Sequence, residues 1–184
     1  MGKHLILAAF LWALCGSGGV ACSSTEELST SASITAEVYC QRGCATLEGC
    51  ASASATSACT VACQQDLAKL SEPRGDLLSY IATCVEAAEC KDKASSPSPC
   101  KDEALAVLAP SNAGHDLCTN YEQKSVMCKA DFEKAKCFEA AKTYPDDTLS
   151  EASACVSKAA CGGVRACFLS NLPLFEPPQF KPGI

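Results

Sequence analysis

Leu77-Leu78-Ser79-Tyr80-Ile81-Ala82-Thr83-Cys84-Val85-Glu86-Ala87-Ala88 is the stretch that decides the fold class. Leu77, Ile81, Cys84 and Ala88 recur at intervals of three and four, with Leu78 and Val85 beside them. That is the stripe of an amphipathic helix. The rest of the chain agrees: Ala and Glu are plentiful, β-branched runs are absent, and nothing alternates with a period of two. Thr148-Leu149-Ser150-Glu151 has the form of a capping box opening a further helix, with Gly162-Gly163 placed to stop it. Pro73, Pro97, Pro99, Pro110 and Pro145 are expected between helices. The chain reads as all-α, a disulfide-stapled helical bundle.

Working outward, the same helix turns up twice. Leu78-Ser79, Cys84-Val85, Ala88 and Cys90 correspond to Leu149-Ser150, Cys155-Val156, Ala159 and Cys161 at an offset of 71. Upstream, Cys40, Cys50 and Cys59 have the mutual spacing of Cys118, Cys128 and Cys137 at an offset of 78. The change of offset asks for a seven-residue deletion between helices, where loop length costs little. Cys100 and Cys167 extend the correspondence. Two degenerate repeats are expected, over 34–110 and 111–172, each of three helices plus a short fourth.

The cysteines carry the chemistry. Cys40-Gln41-Arg42-Gly43-Cys44 and Cys59-Thr60-Val61-Ala62-Cys63 form a twin C-x3-C arrangement. Positions i and i+4 share one face of a helix. Two such helices packed antiparallel set Cys40 opposite Cys63 and Cys44 opposite Cys59, within the reach of a disulfide. Over 40–63 the arrangement resembles the twin C-x3-C hairpins of other small oxidised proteins. The repeat argues for a different pairing: the second half has Glu122 and Ala141 where Cys44 and Cys63 would align, and partners are lost together. That would give Cys44–Cys63 and Cys40–Cys59; the antiparallel geometry favours the first assignment. For Cys50, Cys84, Cys90, Cys100, Cys118, Cys128, Cys137, Cys155, Cys161 and Cys167 the partners stay open, since fourteen cysteines allow on the order of a hundred thousand pairings. Zinc sites favour C-x2-C knuckles or Cys/His mixtures, and thioredoxin-like exchange wants C-x-x-C beside a βαβ unit. The chain has no C-x2-C, so structural disulfides are the better reading and no metal or cofactor is implied.

The first 21 residues form a short basic start, an apolar run from Leu5 to Leu14, and a small, Gly-rich segment from Cys15 to Ala21. The run is shorter than the ~20 residues of a membrane-spanning helix and suits a signal peptide. Gly19-Val20-Ala21-Cys22 resembles the lipobox of bacterial lipoproteins, departing from it at Gly19, where Leu is usual. The resemblance implies cleavage before Cys22 and acylation of its thiol. Parity points the same way: fifteen cysteines follow the cut, and lipidating Cys22 leaves an even fourteen. From Ser23 to Ser33 the chain is Ser- and Thr-rich without hydrophobic period, so 22–33 reads as the lipidated cysteine and its flexible tether. The overall make-up resembles the Cys-rich lipoproteins of myxobacteria and their relatives. That resemblance implies export and anchoring in the cell envelope, at the outer membrane or periplasmic face. A soluble secreted protein is the alternative.

Beyond the cut the chain carries 14 Lys and Arg against 21 Asp and Glu. A formal charge of −7 disfavours nucleic-acid binding, which needs a cationic footprint. Its only Trp, Trp12, lies in the signal segment, so the core is built from small side chains and cross-links must compensate. Bonds of that kind belong to an oxidising compartment.

No constellation for catalysis emerges. His115, the one histidine past the cut, is expected in an exposed turn-rich connector within Pro110–Asp116. There is no Gly-x-Ser-x-Gly elbow and no Gly-rich phosphate cradle. Glu86, Glu89 and Asp92, and Asp146 with Asp147, read as solvated or helix-start acids. The Pro-rich tail, 173–184, holds Leu174, Phe175 and Phe180 and is expected to dock back on the helices, or else to present a partner-binding strip. The function expected is therefore a non-enzymatic, membrane-anchored structural or partner-binding module, its partner an envelope or surface protein. Carriage of a small apolar ligand is the alternative, with thiol-disulfide exchange or another enzyme behind it.

Overall fold

The computed structural model describes residues 32–50 and 56–181. The signal segment, Cys22 and most of the tether lie outside the described residues. Eight α-helices make up the described chain: α1 (Ala36–Glu48), α2 (Thr56–Leu67), α3 (Gly75–Ala87), α4 (Pro97–Val107), α5 (Asn112–Cys128), α6 (Lys134–Thr143), α7 (Asp146–Lys158) and α8 (Val164–Asn171). A single 3-10 turn, Cys161–Gly163, leads into α8. No strand occurs among the described residues.

Local chemistry sets the helix ends. Thr35 caps α1, its hydroxyl accepting from the Val38 N–H at 3.3 Å, and Ser111 caps α5 by accepting from Gly114 N–H at 3.2 Å. Pro97 occupies the first turn of α4, where its missing N–H costs nothing, so Pro97 and Pro99 lie inside a helix and not between helices. The start of α7 is also earlier than a Thr148 cap implies. Pro145 is the extended N-cap residue, and Asp146 and Asp147 fill the first turn, where their carboxylates oppose the positive end of the helix dipole. α7 ends at Lys158, and Gly162-Gly163 lie in the 3-10 turn beyond it.

α1 packs on α2 and α3, and α3 on α4; in the same order α5 packs on α6 and α7, and α7 on α8. α3 buries Leu77, Leu78, Ile81, Ala82 and Val85, and α7 buries Leu149, Ala152 and Val156. The two sets join one core. α5 and α6 approach closely because Gly114 has no side chain: a Cβ there would stand 2.6 Å from that of Ala141. Between the two groups of helices, Arg74 N–H donates to the Thr143 carbonyl at 2.7 Å, and Lys142 Nζ to the Leu105 carbonyl at 2.5 Å. On the first group, Arg42 of α1 grips Glu86 of α3 with both ends of its fork, at 2.8 and 2.7 Å. That hydrogen-bonded cation holds the Glu86 carboxyl below the usual carboxylate range.

Seven disulfides staple this arrangement: Cys40–Cys63, Cys44–Cys59, Cys50–Cys90, Cys84–Cys100, Cys118–Cys137, Cys128–Cys161 and Cys155–Cys167. Exposure grades them. Cys90 and Cys161 are exposed and their partners half-buried, whereas Cys40, Cys44, Cys59, Cys63, Cys118 and Cys137 are buried. Attack by a thiolate requires access to sulfur. Under graded dithiothreitol, Cys50–Cys90 and Cys128–Cys161 are expected to open first, and the three bonds buried at both ends, Cys40–Cys63, Cys44–Cys59 and Cys118–Cys137, last. Quenching with an alkylating agent and peptide mapping reads the order, and early labelling of Cys40 or Cys118 would reverse it.

Candidate functional site

All fourteen cysteines from Cys40 to Cys167 are engaged, so no thiol of the helical head remains for metal binding or exchange in the oxidised state. Within the described residues no group of three or more His, Cys, Asp or Glu is arranged to hold a metal ion. The α1–α2 hairpin is antiparallel, and its two bonds span Cα separations of 5.7 and 5.8 Å. Cys40–Cys59 and Cys44–Cys63, the pairing inferred from the repeat, are not formed. The second half nevertheless bonds Cys118 to Cys137, the positions that align with Cys40 and Cys59. The two hairpins thus differ by a slide of four residues of one helix along the other, about 6 Å at 1.5 Å per residue. Cysteines aligned with Cys44 and Cys63 would not face each other after that slide. The other links do correspond, Cys50–Cys90 with Cys128–Cys161 and Cys84–Cys100 with Cys155–Cys167.

His115 is not in a connector. It lies in the first turns of α5, exposed, its ring edge-on to Phe138 at 6.1 Å between centroids. Among the acids singled out from the sequence, Glu86 is held by Arg42 and Glu89 pairs with Lys91 at 2.9 Å. Asp147 accepts from the N–H of Thr148 at 2.8 Å, as a helix-start acid does.

The tail is where distant parts of the chain meet. Leaving α8, it crosses α6 and α4 and reaches α1. The Tyr144 hydroxyl donates to the Pro173 carbonyl. Lys101 of α4, only 5 % exposed, donates to the Phe175 carbonyl at 3.2 Å and to the Glu176 carboxylate at 3.0 Å, with Glu139 3.8 Å away. Burying an ammonium this deeply is costly unless it is paired, and these acceptors pair it. Phe175, Pro177, Pro178 and Phe180 are buried, and Phe180 packs against Tyr39 with centroids 5.3 Å apart. The notch that receives Phe180 is Gly43, where a Cβ would lie 2.0 Å from the ring. By the offset of 78, Gly43 aligns with Tyr121, whose own ring stacks on Phe168 at 4.7 Å. In the first half the tail therefore supplies an aromatic ring at a position where the second half has its own. Among the described residues of the tail, Leu174, 65 % exposed, is the large apolar side chain left outward.

Beneath the tail lies an apolar cavity of about 170 Å³ between α6, α8 and the Pro173–Phe175 segment. Ala140, Tyr144, Phe168, Leu172, Pro173 and Phe175 form its wall, with Lys136 and Glu139 at one side. Burial and the neighbouring Glu139 carboxylate push the Tyr144 phenol up to about 12, so it remains a neutral donor. A second hollow, between α5 and α7, is shallow and lined by small polar side chains, with Asn120 donating to Ser153 across it at 2.8 Å. The sequence singled out the tail, but not Lys101, Gly43 or Tyr144; they carry no motif, and only the path of the tail assigns them a role.

No protein-family model matches the chain, and no match was found among curated proteins or solved structures.

Proposed function

We propose that the chain is an exported lipoprotein of the bacterial envelope, anchored through acylated Cys22 and presenting a rigid, disulfide-locked helical head as a non-enzymatic structural or partner-binding module. The observation that carries the reading is the complete pairing of the fourteen head cysteines. Every potential partner of Cys22 within the head is already taken, so an exported chain disposes of that thiol by lipidation. Seven disulfides fit an oxidising, extracytoplasmic compartment. Among the described residues no helix is long and apolar enough to cross a membrane, and attachment then falls to a lipid. The matching helix order and the two pairs of corresponding disulfides support descent of the head from a duplicated four-helix unit.

Cys22→Ala tests the anchor. In a bacterial host given labelled fatty acid, the parent protein should incorporate label and sediment with membranes, and Cys22→Ala should lose both while its head disulfides still form. Label that persists in the variant, or a parent protein found soluble and unlabelled, contradicts anchoring.

A further inference from the structure

We propose that the cavity beneath the tail is a binding site for a small apolar molecule, of the size of one aromatic ring or a short branched alkyl chain. Its volume of about 170 Å³ is close to that of a protein cavity of ~150 Å³ known to take up benzene, and unlike that cavity it opens to solvent on the side of Leu169 and Leu174.

The chemistry of the wall excludes water better than it excludes hydrocarbon. The hydroxyls on the lining are committed elsewhere, and its two charged groups, Lys136 and Glu139, stand at the solvent side with partners of their own. The Tyr144 hydroxyl donates to the Pro173 carbonyl, Thr143 Oγ1 to the Glu139 carbonyl at 2.8 Å, and Lys136 Nζ to Glu133 at 2.8 Å. The Glu139 carboxylate faces Lys101 at 3.8 Å. A water held in such a space needs two to four partners and finds few. An apolar guest loses nothing and removes its own surface from water. At the rim Leu169 and Leu174 are exposed, apolar surface that a guest would help to cover. One wall is the tail itself, held by the Tyr144 hydroxyl and by Lys101 of α4. The site stands independently of the lipid anchor: its failure would leave the reading of Cys22 untouched.

The test uses benzene added to the oxidised protein, followed through the methyl NMR signals of Leu169, Leu172, Leu174 and Ala140. Saturable shifts confined to these methyl groups are expected. Ala140→Leu, which fills the space, should weaken binding about tenfold or more. Leu174→Asp, at a side chain already in solvent, should leave the fold intact and weaken binding in the same direction, so it decides the matter if Ala140→Leu misfolds. Absence of saturable shifts up to the solubility of benzene overturns the proposal. So do shifts that both variants leave unchanged, and so does a long-lived water seen by its cross-peaks to Leu172 and Ala140.

Discussion

Replacing Cys40, Cys44, Cys59 and Cys63 together by alanine is expected to release α2 from the head while 112–171 stays folded. Among its described side chains α2 places only Cys59, Cys63 and Leu67 in the core, so its attachment to α1 is made chiefly of sulfur. By loop-closure entropy, a bond closing a 15-residue separation, as Cys44–Cys59 does, is worth about 3 kcal/mol. Cys40–Cys63 encloses that loop, so once the inner bond exists the outer one removes less freedom, and the two together contribute less than twice the single value. What remains is Leu67 and a short helix, and helices of twelve residues are marginal in water. Hydrogen exchange reads the result directly: amides of 56–67 should exchange near the unstructured rate in the quadruple variant, and those of α5 and α7 should keep their protection. Restoring Cys44 and Cys59 alone should recover most of the protection of α2. Undiminished protection of 56–67 without any of the four cysteines would show that packing, not sulfur, holds the hairpin.

The second large effect concerns the tail. Phe180→Ala should cost about 3–5 kcal/mol, as truncation of a buried phenylalanine generally does. Phe180 is fully buried against Tyr39 and Gly43, so its loss opens a hole in the first half although the residue follows the last helix of the second. Gly43→Ala in the intact protein should be destabilising, because its Cβ would stand 2.0 Å from the ring. In the Phe180→Ala background the same substitution should stabilise by about 0.5–1 kcal/mol, since alanine is the better helix former and nothing is left to strike. That change of sign is a strong coupling of the kind expected for residues in contact. Gly43→Tyr with Phe180→Ala goes further: it places a ring on the helix as Tyr121 does, and should recover part of the loss. Urea denaturation of the parent and the four variants, with disulfides intact, checks the set. Additive effects of the Gly43→Ala and Phe180→Ala changes would mean that Phe180 does not sit in the Gly43 notch.

These two cases mark where the sequence was readable. The helix class follows from the three-and-four spacing at Leu77, Leu78, Ile81 and Val85, because core burial imposes that period locally and the structure buries all four. The hairpin geometry of Cys40, Cys44, Cys59 and Cys63 is likewise local, set by two short helices and one loop. The links Cys50–Cys90 and Cys128–Cys161 are not local: 40 and 33 residues separate the partners, and their meeting depends on how α3 and α7 lie on α1 and α5. The one-turn slide in the second hairpin is invisible for the same reason, since aligned cysteines carry no record of helix register. At α7, the Thr148 pattern misplaced the start because Pro145 with Asp146 and Asp147 satisfies the helix end without a hydroxyl cap. The cavity under the tail draws its wall from three separate segments, and only a closed path of the tail creates it.

Intact-mass analysis of the protein, alkylated with and without prior reduction, tests the division of its cysteines into one anchor and seven staples. The account predicts no alkylation before reduction, fourteen alkyl groups after it, and a lipid mass on the N-terminal peptide beginning at Cys22. An alkylated, lipid-free Cys22, or a disulfide joining Cys22 to a cysteine of the head, would contradict it.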